Sequence, residues 1–208
     1  MPTIKEQASA GSDRAEQKRA EILAAAMDAF AENGYHATKI SDIAGRLGMG
    51  HGTFYRYFEN KLDIFVSVID LIIEKITSIV ETDYPTATNS AAEYHQQIIR
   101  LGERIFQVFR ADMRFGTILF YEALGVDQAL NSKLETMLDM IAMVTELYFK
   151  NGVEKGFLRQ DLDTLVLSKA ITGVLVAGVR DVLAAKDPEA TTKRWSKAIA
   201  GLMIGGMG

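Results

Sequence analysis

The residues best suited to chemistry lie between Ile40 and Lys61, in ISDIAGRLGMGHGTFYRYFENK. Arg56 has the planar donors that fit a guanine edge or a phosphate. Thr53 offers a hydroxyl to a base edge and a methyl to a thymine methyl. Tyr55 and Tyr57 carry hydroxyls suited to phosphate oxygens. Gly52 removes a side chain where a backbone approaches DNA closely. Lys61 falls at the start of a following helix, where its charge and the free N–H groups suit one phosphate. Thr38 is a good helix N-cap and a second phosphate candidate. His51, Lys39 and Arg46 complete the candidate set. The alternative for the same residues is an ordinary buried helical hairpin, because turn glycines and aromatics are common in helical proteins.

Two short helices must hold these groups. Ile40, Ile43, Ala44 and Leu47 recur at helical spacing. Gly48-Met49-Gly50 stops that helix and lets the chain reverse. A second helix is expected from near His51 to about Phe58, with Phe54 and Phe58 facing inward together. Paired helices joined by a glycine turn form the helix-turn-helix pattern, whose second helix enters the major groove.

From about Arg19 to Phe65 the chain resembles the TetR/AcrR family of transcriptional regulators. The matching positions are Phe30, Gly34-Tyr35, Thr38, Ile43-Ala44, Gly48, Gly52, Tyr55, Phe58 and Lys61. Gly50 stands where the family often has a capping serine, and His51 where it often has Lys, Arg or a small residue. The resemblance implies DNA binding, a middle region enclosing an effector pocket, and two final helices that pair with their copies in a four-helix dimer interface. A twofold dimer would read a palindromic operator.

Composition bounds the rest. The chain has 208 residues, is 48% hydrophobic and 24% charged, and contains no cysteine. Disulfides, thiolate catalysis and cysteine-based zinc sites are excluded. His36, His51 and His95 lack metal-ligand spacing, so no metal or cofactor is expected. No apolar run approaches a membrane span, and the N-terminus has no apolar signal core, so a cytoplasmic protein without membrane contact is expected. Residues 1–61 carry 8 Lys+Arg and 8 Asp+Glu, so the net charge of −4 lies wholly beyond them. DNA binding then requires cations gathered on one face, near Lys18, Arg19, Lys39, Arg46, Arg56 and Lys61.

The spacing predicts an all-α protein of about nine helices in three parts. Residues 1–12 read as a disordered tail and 13–60 as a three-helix DNA-binding domain. Residues 61–208 read as a larger helical effector-binding and dimerisation domain. A long helix with Leu62, Phe65, Ile69, Ile72, Ile76 and Val80 on its apolar face joins the last two. Asn60, Asp112, Asp127 and Asp187 are expected caps.

The middle region is rich in Phe and Met. The candidate pocket residues are Phe106, Phe109, Met113, Phe120, Tyr121, Met137, Met140, Ile141, Val144 and Tyr148; plain core is the alternative. Tyr94, His95, Arg104, Glu122 and Thr145 are further polar candidates. Arg100, Arg104, Arg110 and Arg114 read as exposed charges in preference to an anion site. In the final two helices Ile171, Val174, Leu175, Gly178, Trp195, Ile199, Leu202 and Met203 are expected at the dimer interface. The function that follows is a dimeric repressor released by a small, largely apolar effector that shifts the long helix. An activator, and a non-specific architectural or protein-binding helical module, stay open as alternatives. No nucleophile–base pair, metal cluster or phosphate loop supports an enzyme.

Overall fold

The periodicities become nine α-helices and no strand among the described residues, 4–79 and 83–205 of the computed structural model. The chain divides into two compact units, Met1–Leu71 and Ile72–Gly208. None of these helices is long and apolar enough to cross a membrane.

The first unit holds α1 (Ile4–Ala37), α2 (Ile40–Arg46), α3 (His51–Phe54) and the start of α4 (Lys61–Thr77). Helix α1 buries Ile22, Ala25, Ala26, Met27, Ala29 and Phe30, the stripe its helical period requires. Gly34 breaks it at φ 79° and ψ 163°, a backbone state that favours glycine. The break turns Tyr35 back onto Phe30 and Phe65, with ring centres 5.9 and 4.6 Å away. Phe65 also meets Phe30 edge-on at 4.8 Å. Asn60 caps α4, its Oδ1 accepting from Asp63 N at 2.9 Å.

Two expected boundaries move. Residues 4–12, read as a disordered tail, continue α1 as helix. Most residue types there are ordinary helix formers and none is proline, so nothing stops the helix before Ser12. The expected division at residue 60 shifts into α4, because Ile64, Phe65 and Val68 are buried in the first unit's core. The helix end expected at Val80 lies outside the described residues.

The second unit runs from the end of α4 through α5 (Ala91–Ala111), α6 (Met113–Thr117), α7 (Gln128–Glu154), α8 (Thr164–Ala184) and α9 (Pro188–Gly205). Its starts are capped. Ser90 accepts from Glu93 N at 3.2 Å, Asp163 from Val166 N at 3.0 Å, and Asp187 from Ala190 N at 3.0 Å. Asp112 and Asp127 cap α6 and α7, as their positions predict. Such a cap contributes about 1 kcal/mol. Helix α6 runs into one π-helical turn, Ile118–Glu122, closed by Ala123 N to Ile118 O at 2.9 Å. Helix α8 approaches α5 and α9 closely at Gly178, where a Cβ would stand 2.8 Å from the Phe106 ring and 3.0 Å from Trp195.

Candidate nucleic-acid interface and ligand cavity

The helix-turn-helix is built as its residue types require. Lys39 N donates to Asp42 Oδ2 at 2.9 Å, which closes the first turn of α2. Gly48 takes φ 60° in the turn, and Met49 N bonds back to Ala44 O at 3.0 Å. Helix α3 is shorter than expected. It ends at Phe54 and tightens into a turn, with Arg56 N on Thr53 O at 3.3 Å and Tyr57 N on Phe54 O at 2.9 Å. Phe54 and Phe58 are buried, with ring centres 5.9 Å apart. This leaves His51, Gly52, Thr53, Tyr55 and Arg56 exposed on one short segment, with Tyr57 half-buried and Lys39 exposed nearby in sequence. Among the described residues, the side-chain polar atoms of Lys39, His51, Thr53 and Arg56 make no hydrogen bond or ion pair.

Five expected DNA contacts or cations have partners within the chain. Thr38 is 1% exposed and its hydroxyl donates to Gly34 O at 2.7 Å, within 3.0 Å of Ala29 O. Lys39, not Thr38, is the N-cap of α2, and the Thr38 hydroxyl ties the α1 kink to the next helix. Lys61 donates to the carbonyls of Tyr35, His36 and Thr38 at 2.7, 3.2 and 3.0 Å. Its ammonium also lies 4.4 Å from the Tyr35 ring centre. Arg46 forms a two-pronged pair with Glu32, one prong at 3.2 Å. The Arg46 hydrogen bond lowers the Glu32 carboxyl from its ordinary value, against an opposing effect of desolvation. Arg19 donates to Tyr57 O at 2.9 Å and Ser67 Oγ at 3.0 Å and covers the Phe58 ring at 4.1 Å. Lys18 pairs with Glu21 at 2.8 Å. Of the six cations expected on one face, Lys39 and Arg56 alone are free of such partners among the described residues.

The second unit encloses a cavity of about 300 Å³ between the end of α4, α5, the π turn, α7 and α8. Six of the ten expected pocket residues line it: Phe109, Phe120, Met137, Met140, Ile141 and Val144. Phe109 and Phe120 pack with ring centres 5.8 Å apart. The other expected residues lie elsewhere. Phe106 is buried against Gly178, and Met113 is exposed. Tyr121 is exposed beneath Arg180, whose guanidinium lies 5.5 Å from its ring centre. Tyr148 is buried with its hydroxyl on Asp83 O. Sequence reasoning missed Thr172, Leu175, Val176 and Val179 of α8, because that helix was assigned wholly to the dimer face. It also missed Ile76, read only as part of the long helix's apolar face, and Ile79, which the period did not single out.

The cavity has almost no polarity. Its hydroxyls belong to Thr77, Thr145 and Thr172, which donate to Glu74 O, Ile141 O and Ser168 O at 3.2, 2.8 and 2.9 Å. Among the described residues no charged side chain lines it. Such a space takes hydrocarbon and rejects an ion, since a charge buried without a partner is strongly disfavoured. Among the described residues no cluster of His, Asp or Glu is arranged to hold a metal.

The expected dimer residues also need correcting. Ile171, Leu175, Gly178, Ile199 and Met203 are buried within this single chain, and Val174 and Trp195 are half-buried. Trp195 Nε1 donates to Asp181 at 3.1 Å. Only Leu202, at 46% exposure, remains outward. The face that α8 leaves open instead carries Val166, Ala170, Gly173 and Ala177, and α9 leaves open Ala198, Gly201 and Leu202.

A glycine-turned pair of helices with a free arginine just past the second is the helix-turn-helix pattern of DNA-binding proteins, and the second unit carries an apolar cavity. Residues 22–68 match the family model of bacterial regulatory proteins of the tetR family. Over those residues the chain carries the DNA-binding domain of the tetR family, and along most of its length it is similar to transcriptional regulators of that family. It is 26% identical over 158 residues to the fatty acid metabolism regulator protein of Bacillus subtilis, covering 76% of this chain and 79% of that one. The structure is similar to that of the fatty acid degradation regulator FadR from Bacillus halodurans, with TM-score 0.75 and 26% identity over 91% and 95% of the chains. FadR from Bacillus subtilis, in complex with stearoyl-CoA, shares the fold at TM-score 0.74 and 23% identity, over 90% and 98%.

Proposed function

We propose that this regulator is a cytoplasmic repressor that binds a palindromic operator as a dimer and leaves it when an aliphatic effector fills the cavity of the second unit. The observation that carries the effector class is the lining: about 300 Å³ walled by Ile, Leu, Val, Met and Phe, with its threonine hydroxyls already donating to their own helices. This volume sits at the lower edge of small-molecule sites, roughly 300–1,000 Å³. The relatives named for fatty acid regulation, one of them bound to stearoyl-CoA, support an acyl chain as the occupant.

DNA reading falls to His51, Gly52, Thr53, Tyr55, Arg56 and Tyr57, with Lys39 adding charge. The domain that carries them extends into α4. Dimerisation falls to the open stripes of α8 and α9, where small residues let a second copy approach closely about a twofold axis. Ile76, Thr77 and Ile79 line the cavity, and α4 runs unbroken from Lys61 to Thr77. A ligand that favours one position of Ile76 and Ile79 therefore acts on the same helix whose first residue holds the loop before α2. It can do so only by binding the two states with different affinity.

Fluorescence anisotropy on a selected operator tests the effector. Dodecanoyl-CoA should raise the operator Kd of the wild type and leave that of Ile141→Trp, whose indole fills the cavity, unchanged. Equal responses of the two proteins would refute the cavity as the effector site.

A further inference from the structure

Of the nineteen described residues that line the apolar cavity, two are exposed: Met140, at 37%, and Met143, at 59%. Both stand on α7. The mouth of a hydrocarbon cavity is therefore made of two thioethers. Met137, three residues before Met140, also lines the cavity and is 4% exposed. Residues three apart are neighbours on a helix surface, so one row of sulfurs runs from solvent into the lining.

The chain has no cysteine, so thioethers are its only oxidisable sulfur. Among the described methionines, Met113, Met140 and Met143 are exposed and Met27, Met137 and Met203 are buried. An oxidant in solvent reaches the exposed sulfurs first. Met113 lies outside the cavity lining, so its oxidation leaves the cavity unaltered. Oxidation at Met140 and Met143 changes the mouth itself. A sulfoxide turns a flexible apolar side chain into a polar, chiral one. The cavity has no spare donor for the new oxygen, because Thr77, Thr145 and Thr172 already donate to carbonyls of their own helices. The oxygen keeps its hydrogen bonds only by staying in water. A ligand chain that covers the mouth strips that water away without replacing it, which costs affinity.

We propose that Met140 and Met143 are an oxidation site at the cavity mouth, where conversion to sulfoxides by a hydroperoxide weakens the binding of aliphatic ligands. The sulfur lone pair attacks one peroxide oxygen. The S–O bond forms and the O–O bond breaks. The proton of the attacked oxygen passes to the departing one, which leaves as water or an alcohol. Sulfur loses two electrons and the peroxide gains them. A dithiol-dependent methionine sulfoxide reductase reverses the step, the oxygen leaving as water while the dithiol closes to a disulfide. The proposal rests on reading the cavity as an aliphatic site, and it makes the response to that ligand depend on peroxide.

Treatment of the full chain with hydrogen peroxide tests it, followed by peptide mass spectrometry and isothermal titration with dodecanol. Met113, Met140 and Met143 should gain oxygen before Met137. Dodecanol affinity should fall about tenfold once both mouth sulfurs are oxidised, and the reductase with dithiothreitol should restore it. Met140→Leu/Met143→Leu conserves volume and should bind dodecanol as the untreated wild type does, both before and after peroxide. Met113→Leu should lose affinity on oxidation as the wild type does. Met143→Leu alone, at the more exposed position, should keep part of the affinity if the double variant does not fold. Three results overturn the oxidation site: resistance of Met140 and Met143 while Met113 reacts, unchanged dodecanol affinity after both are oxidised, or an equal loss in the folded variants. Failure of the untreated wild type to bind dodecanol instead overturns the cavity reading, and the proposal with it.

Discussion

Lys61 separates a structural lysine from a DNA-binding one, and its replacement by methionine gives a two-part prediction. In the structure its ammonium satisfies the carbonyls of Tyr35, His36 and Thr38 at 2.7, 3.2 and 3.0 Å and lies 4.4 Å from the Tyr35 ring centre. Methionine keeps the aliphatic stem but not the donors. A hydrogen bond to a charged group is worth about 1.5–3 kcal/mol when buried. These carbonyls are half-open to water, which replaces part of each bond, so the expected loss is about 1–2 kcal/mol in total. Chemical denaturation followed by far-UV circular dichroism measures it. The second part concerns salt. Each phosphate contact removed lowers the slope of log K against log[salt] by about 1. The Lys61→Met protein, measured on operator DNA while still folded, should keep the wild-type slope. A slope reduced by about 1 with unchanged stability would show that Lys61 turns to phosphate on DNA and that its three-carbonyl cage is not maintained there.

Three further outcomes are expected. Thr38→Val removes a buried hydroxyl donor from Gly34 O and Ala29 O, which keep Thr38 N and Asn33 Nδ2 at 3.2 and 3.3 Å, and should cost about 1 kcal/mol by denaturation, with the folded protein's DNA salt slope unchanged. Gly173→Arg places a long charged side chain on the open α8 stripe, where an added Cβ meets nothing within 4 Å, so the chain should remain folded yet weigh as a 22.9 kDa monomer in native mass spectrometry. Burial raises the Tyr94 phenol and pushes Tyr148 up to about 12, Asp83 adding to the second. The folded state thus keeps protons that the unfolded state loses near pH 10. The stability this provides is full below pH 10 and is lost as pH rises toward about 12, and Tyr148→Phe should flatten that part of the denaturation profile.

The helix-turn-helix was legible because its signals are local. Gly48 in the turn and the Phe54–Phe58 spacing fix the two helices from their own residues and near neighbours. Side-chain direction was not legible, because the deciding partners are remote: Arg19 meets Tyr57 and Ser67, and Lys61 meets carbonyls more than twenty residues earlier. The final helices failed for another reason. Helix α8 is apolar around most of its circumference, and a small residue such as Gly178 permits close packing equally against its own chain or a partner's. Only the position of Phe106 and Trp195 shows that Gly178 serves the first. The same ambiguity hid the cavity residues of α8, while the Phe and Met content of α5 to α7 pointed to that region without separating Tyr148, a core residue, from Val144, a lining one.

Selection of bound duplexes from a random-sequence pool, run with and without dodecanoyl-CoA, tests the central claim most directly. The account predicts an enriched inverted repeat with half-sites about one helical turn apart. It predicts loss of that enrichment when the ligand is present, and also in folded Arg56→Ala protein. Recovery of DNA without any repeat, or the same repeat from Arg56→Ala at wild-type yield, would contradict it.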